Sequence, residues 1–399
     1  MTLKTGVLIC GAGIVGLTLA RELIRRGASD ILLLEKEERL GAHASGRNSG
    51  VLHAGVYYAP GTERAKTCLE GNKRMRAYCR ERGLPLFESG KVIVASAPEQ
   101  IETLRELHRR ATANGAQTRV IDAKELAELE PNAATVECAL HSPLTAVTDP
   151  RRVLESLAAE LQATGKAKIL FNTRFVSAGI GRRVSATAGD IEYEYFVNAA
   201  GAYSDRVAHA FGLGREYRLL PFKGIYRKLK KECSDFVRGS IYPAPNLRNP
   251  FLGVHFTRSV HGEVYLGPTA IPAFGRENYG FFQGLDAEAP VILAREAKLF
   301  FINPAFRSAA LEEPRKYRFS AFFRDAAKLA PGLDPACVEP SPKVGIRPQL
   351  VDMRNGQLVM DFLLLRDERS LHSLNAISPA FTSSLAFAET LADAVETPL

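Results

Sequence analysis

The chain has 399 residues, enough for two or three domains at about 150 residues each. Apolar residues make up 46% and charged residues 24%, a mixture that excludes disorder, collagen and coiled coil as descriptions of the whole. The 52 basic and 44 acidic side chains leave a net charge of +8. Its arginines are scattered, with no zinc-finger spacing or RNA-recognition signature, so anionic small molecules or an anionic membrane face suit this field better than nucleic acid.

No apolar run approaches the roughly 18 residues of a spanning helix, and no charged segment followed by an apolar one precedes the first strand. A cytoplasmic protein is expected. The six cysteines, Cys10, Cys68, Cys79, Cys138, Cys233 and Cys337, form no CxxC and no zinc-ligand spacing. In a cytosolic chain they read as reduced, and no metal is expected.

In chain order, Val7 to Cys10 is an apolar run rich in β-formers. A glycine cluster follows, and then apolar residues recur at helical spacing from Leu17 to Ile24 before Gly27. Ile31 to Leu34 is a second apolar strand. Helices are predicted for Thr62 to Arg82, Pro98 to Asn114, Ala123 to Leu129, Pro150 to Thr164 and Ser204 to Phe211. Strands are predicted at Lys91 to Ala95, Ile169 to Phe175, Arg183 to Thr187 and Glu192 to Asn198. From Arg218 to Gly267 short β segments broken by Gly, Pro and Asn predict antiparallel sheet. Helices return at Ala289 to Asn303 and Arg318 to Lys328, then a hairpin turns at Asn355-Gly356 and a helix closes the chain from Thr382 to Val395. The expected class is α/β, with two interleaved domains.

The glycine cluster carries chemistry. Gly11-Ala-Gly13-Ile14-Val15-Gly16 joins a strand to a helix, and Glu35, followed by Lys36, ends the next strand nineteen residues beyond Gly16. In such a unit the first glycine permits the tight turn, the second admits a pyrophosphate, and the third lets helix and strand pack closely. Unpaired N–H groups of the first turn attract phosphate, and the acid accepts from ribose hydroxyls. Three later segments favour FAD over a nicotinamide dinucleotide. Gly41 to Gly55, containing Ser45, Gly46, Arg47, Asn48 and Ser49, is a small-residue stretch that lets backbone pass a flat ring. Asn198 to Ala202, with Ala200 and Gly201, ends a strand in small residues. Ser378, Pro379, Ala380, Phe381 and Thr382 open the last helix, whose N-terminus would stabilise negative charge on a reduced flavin.

More specific are Ser45-Gly-Arg-Asn-Ser-Gly50, Leu52-His-Ala-Gly-Val-Tyr-Tyr58, Lys66 to Leu69, Leu220-Pro-Phe-Lys-Gly-Ile-Tyr226, Leu252-Gly-Val-His255, Gly345-Ile-Arg347 and Asn375 to Pro379. On these the chain resembles the FAD-dependent oxidoreductases of the D-amino-acid-oxidase type and, within them, the L-2-hydroxyglutarate dehydrogenases and oxidases. It departs from their pattern at Pro348 and in the stretch from Ala270 to Asn303. The resemblance implies a Rossmann-like FAD-binding domain (1–84, 146–215 and 340–399). Interleaved with it is an α+β substrate domain on an antiparallel sheet (85–145 and 216–339). It implies oxidation of a small anionic 2-hydroxy acid, with a quinone or oxygen as electron acceptor and peripheral contact with the cytoplasmic face of the inner membrane.

Such an enzyme needs cations for carboxylates and a base for the hydroxyl proton. Arg347, two residues after Gly345, suits a bidentate carboxylate contact and places that segment near the flavin. Lys223 or an arginine near Arg258 would supply a second cation, and Tyr226 a hydroxyl. His255 and His53 are candidate bases, with His255 preferred and His53 as orienter or substrate ligand. Two alternatives stay open: another hydroxy acid or a small amine such as glycine or sarcosine, and a non-catalytic nucleotide-binding protein.

Overall fold

The computed structural model describes residues 2–246 and 252–395. The chain divides into two compact units. One comprises Met1–Asn48, Pro150–Leu220 and Arg347–Leu399, and the other Ser49–Asp149 and Pro221–Ile346.

The first unit is built on an eight-stranded sheet. Leu3–Cys10 lies at its centre, parallel to Ile31–Leu34 on one side and to Gly189–Asn198 on the other. Ala167–Leu170 extends the parallel sheet beyond Ile31–Leu34, and Ser370–Leu374 extends it beyond Gly189–Asn198. Ile31–Leu34 is buried at every position, as expected of a strand covered on both faces. The helix Ile14–Arg25 buries Val15, Leu17, Leu19 and Leu23 and packs against Ala380–Ala394 and Pro150–Ala163. Arg26 Nη1 and Asp393 Oδ1, 2.6 Å apart, join the far ends of the first two helices, so these run parallel and their N-termini share one end.

The predicted strand from Ile169 to Phe175 is in fact two, Ala167–Leu170 and Phe175–Ala178. Asn172 has φ +52°, and the N–H groups of Asn172 and Thr173 donate to the carbonyls of Glu37 and Glu35. An apolar run conceals such a turn because its partners lie far away in sequence. The hairpin at Asn355-Gly356 forms as expected, pairing Asp352 with Gln357 across Gly356 at φ +69°.

In the second unit, Val264–Gly267 pairs antiparallel with Arg227-Lys228 on one side and with His255–Arg258 on the other. Ser240–Pro243 follows, antiparallel to His255–Arg258 and parallel to Lys91–Val94; Ala139–Ser142 and Arg119–Ile121 complete the order. The helix Phe319–Leu329 covers one face through Phe322, Ala326 and Leu329. Ile101–Ala113 covers the other through Leu104, Leu107 and Ala111. A helix at Pro304–Glu312 was not predicted. Asn303 caps it, accepting from Phe306 N at 2.9 Å with Pro304 in the first turn, so Asn303 ends one helix and starts the next.

The expectation that all six cysteines are reduced is overturned. Cys233 and Cys337 are disulfide-bonded, while Cys10, Cys68, Cys79 and Cys138 are free. The pair is 104 residues apart in sequence, and the Lys230 N–H donates to the Cys337 carbonyl at 2.9 Å. Spacing along the chain carries no trace of that proximity. Among the described residues no helix is long and apolar enough to cross a membrane.

Candidate active site

In the first unit the register sets Cys10 level with both Leu34 and Asn198, so the turns after three parallel strands lie at one carboxyl edge. Open α/β sheets bind their ligands at that edge. Gly11, at φ +111°, sits so close to the neighbouring turn that an added Cβ would lie 2.4 Å from the Ala199 carbonyl oxygen. A Cβ on Gly16 would lie 2.0 Å from the Gly11 oxygen, and one on Gly13 2.9 Å from Ser45 Oγ. That Oγ accepts from the Ile14 N–H at 3.0 Å, tying the Ala44–Arg47 turn to the helix start beside half-buried Gly13 and buried Val15. Gly46 is equally constrained, since an added Cβ would lie 2.1 Å from the Gly41 oxygen. Arg47 Nε donates to the Ala42 carbonyl, and Asn48 Nδ2 to those of Ala44 and Ser45.

Glu35 is half-buried; burial pushes its carboxyl above the usual range, and one oxygen accepts from the Glu37 N–H at 3.0 Å. Lys36 engages His43 and Glu37 and lies 5.5 Å over the Tyr203 ring. Lys36 foremost, and then His43, hold the Glu37 carboxyl down at about 2. Backbone with no room for side chains, a helix N-terminus and a ribose acceptor at one edge fit a dinucleotide.

Asn198 fixes the third turn. Its Oδ1 accepts from the Ala200 N–H, and its Nδ2 donates to the Ser204 carbonyl and to His372 Nδ1. Gly201 then opens the Gly201–Tyr203 turn at φ +54°. His372, fully buried, keeps its proton on Nε2 toward Ser370 Oγ at 2.9 Å, and burial pushes its pKa down to about 4. The unfolded imidazole titrates near 6.5, so the stability this neutral group contributes is complete above that pH and is lost as pH falls toward 4. The stability difference between wild type and His372→Gln should therefore shrink by about 1.4 kcal/mol per pH unit between 6.5 and 4. Urea melts of both proteins at each pH check this; a pH-independent difference would contradict it.

At the start of the last helix Pro379, Ala380 and Thr382 are buried, Phe381 is half-buried and Ser378 is exposed. Arg347 is half-buried with its Nε enclosed, and Gly345 and Ser49, in the second unit, are also half-buried.

In the second unit His255 heads its strand, stacked on Tyr242 at 3.8 Å between ring centroids. Its Nδ1 donates to the Gly253 carbonyl at 2.9 Å, which leaves the Nε2 lone pair open. Burial foremost, then the charge of Lys91, pushes its pKa down to about 3, so the ring is neutral at pH 7. Tyr226, buried, lies close enough to Tyr242 to feel its charge, and burial raises its phenol. Lys223 is 4% exposed; burial lowers its pKa, and Nζ donates to the Gly280 carbonyl at 2.6 Å. His53 is half-buried, its carbonyl accepting from Cys68 Sγ. Arg258 Nη1 donates to the Ser234 and Val237 carbonyls, and its Nη2 pairs with Asp235 at 3.3 Å.

Sequence reasoning missed Lys91, which lies over the Tyr57 and Tyr242 rings beside His255. The available signal was a lysine placed after Gly90 at the head of the apolar run Val92-Ile93-Val94.

Comparison with known proteins agrees with this geometry. The FAD dependent oxidoreductase (DAO) family model matches residues 6–394. The mitochondrial L-2-hydroxyglutarate dehydrogenase of Bos taurus is 36% identical over 412 residues, covering 98% of this chain and 88% of that protein. L-2-hydroxyglutarate dehydrogenase of Escherichia coli K12 is 33% identical over 398 residues, covering 98% and 93%. Among solved structures, L-alpha-glycerophosphate oxidase from Mycoplasma pneumoniae superposes with a TM-score of 0.76 at 21% identity, covering 99% of this chain and 97% of that one. Glycine oxidase from Geobacillus kaustophilus gives 0.71 at 19%, covering 100% and 97%. With FAD as its cofactor, bound on a Rossmann-like unit, the chain belongs to the DAO family of FAD-dependent oxidoreductases.

Proposed function

We propose that this protein oxidises L-2-hydroxyglutarate to 2-oxoglutarate. The observation that carries the reading is identity of 33–36% over nearly the whole chain to L-2-hydroxyglutarate dehydrogenases of animals and bacteria. When bound, FAD supplies a two-electron acceptor at its N5. His255 Nε2, unprotonated at neutral pH, takes the C2 hydroxyl proton as the C2 hydrogen departs with its electron pair, leaving the ketone. The Gly253 carbonyl holds the tautomer that makes Nε2 the acceptor. Arg347 binds a substrate carboxylate, and His53 and Tyr226 orient the acid. Lys223, its Nζ held by the Gly280 carbonyl, adds a cationic side chain to this unit.

In this reading Glu35, Lys36, Ser45 to Ser49, Ala200, Gly201, Gly345 and Ser378 to Thr382 surround the dinucleotide. Electrons leave to a quinone or to oxygen. Docking on an anionic bilayer, at the cytoplasmic face of the inner membrane, is supported by the +8 net charge and by Phe281, Phe282 and Phe301, each more than 70% exposed.

Anaerobic bleaching of the flavin tests the reading against L- and D-2-hydroxyglutarate, L-lactate, malate, glycerol 3-phosphate, glycine and sarcosine. L-2-hydroxyglutarate should bleach fastest, and Arg347→Ala should require a far higher concentration of it while keeping FAD. Faster bleaching by glycine or sarcosine would overturn the assignment in favour of an amine.

A further inference from the structure

Lys91 opens Lys91–Val94, a strand buried at all of its residues. The side chain is 2% exposed, and no described residue hydrogen-bonds Nζ. Its neighbours are aromatic, with the Tyr57 centroid 4.5 Å and the Tyr242 centroid 4.8 Å from Nζ. Ring faces attract a cation but do not replace the hydration it gave up. The Tyr57 hydroxyl is also buried without a partner among the described residues, although its ring is partly exposed. A leucine or methionine would fill this place at lower cost. Nζ above the Tyr57 ring and the hydroxyl on that ring are thus two donors without an acceptor, and together they can serve one anionic oxygen pair.

We infer that Lys91 and Tyr57 bind a carboxylate of the substrate, with Lys91 charged in the complex. The identity of the acid rests on the function proposed above; the anion site rests on the cluster. The titratable and charged groups facing Lys91 are Tyr57, Tyr242, His255, Cys68 and, beside Cys68, Arg64. Burial pushes the Tyr57 hydroxyl well up, the Tyr242 hydroxyl and the Cys68 thiol to about 12, and the His255 imidazole down to about 3, so these stay neutral from pH 6 to 9. Arg64 stays charged. Lys91, lowered by burial to about 7, changes charge within that range. A bound carboxylate stabilises the ammonium, so above pH 7 each binding event draws a proton from solution and affinity falls as pH rises.

The test uses the FAD-loaded protein and glutarate, which carries both carboxylates but no C2 hydroxyl to oxidise. Calorimetric titrations at pH 6 and 8.5, in buffers of different ionisation enthalpy, count the protons exchanged. We expect about one proton taken up per glutarate at pH 8.5 and almost none at pH 6, with Kd rising roughly tenfold per pH unit above 7. Lys91→Met should remove the uptake and weaken glutarate binding at least about thirtyfold at pH 6 while FAD absorbance is kept. Lys91→Arg should bind glutarate without uptake at either pH, and it keeps the test decisive if the methionine variant does not fold. Absence of proton uptake in the wild type, or unchanged affinity in Lys91→Met, would overturn the site. Uptake on glutarate binding without bleaching by L-2-hydroxyglutarate would sustain the site and overturn the functional reading. Bleaching without uptake would do the reverse.

Discussion

Gly11→Ala should purify colourless, whereas Gly27→Ala should remain yellow. Both glycines have φ +111°, so alanine meets the same backbone strain at either position. They differ in what the new methyl group touches. At Gly27 no heavy atom lies within 4 Å, whereas at Gly11 the Ala199 carbonyl oxygen would be 2.4 Å away. That oxygen belongs to backbone anchored by Ala199 N–H donating to Cys10 O, so it cannot swing aside as a side-chain tip would. Strain alone costs about 1–2 kcal/mol, and overpacking against fixed backbone adds about 1–3 kcal/mol. Gly27→Ala should therefore lower Tm by roughly 2–8 °C and Gly11→Ala by roughly 4–20 °C, with loss of FAD because the turn that receives the pyrophosphate must open. Differential scanning fluorimetry with flavin absorbance measures both. Equal shifts and equal flavin content would mean that the close approach contributes nothing.

His255→Asn should lower kcat by about 10²–10⁴-fold while FAD content and glutarate affinity stay near wild type. Asparagine keeps an N–H directed at the Gly253 carbonyl but offers no basic nitrogen in place of Nε2. The pH profile adds a second criterion. With the wild-type imidazole at about 3, its protonation introduces no acidic limb in kcat/KM between pH 5 and 7, since that ratio reports the free enzyme. The alkaline decline expected from Lys91 should survive the substitution. Stopped-flow reduction within tenfold of wild type would remove His255 as the base.

Much of the nucleotide-binding unit was legible because its signals are local. Ile31–Leu34 falls where periodicity placed it, and the helix after Gly16 needs no partner to be recognised. The Gly11–Gly16 spacing carries its own reason, because each glycine answers a contact made within one strand–turn–helix. Histidines 53 and 255 were visible as residue types in small-residue surroundings. Their burial was not: the stacking of Tyr242 on His255 joins residues from two different strands.

The sequence by itself determined the βαβ start, the fingerprint with its acid, the family likeness and the candidate ionisable groups. All of these are set by short-range sterics and side-chain chemistry. Only the tertiary structure decided that Cys233 meets Cys337, that one apolar run breaks at Asn172, that Arg258 donates to the Ser234 and Val237 carbonyls and that Lys91 is buried under two tyrosines. Each of those outcomes depends on which distant strand or loop supplies a neighbour. Desolvation, the largest influence on His255 and Lys91, arises only once the sheet has closed around them.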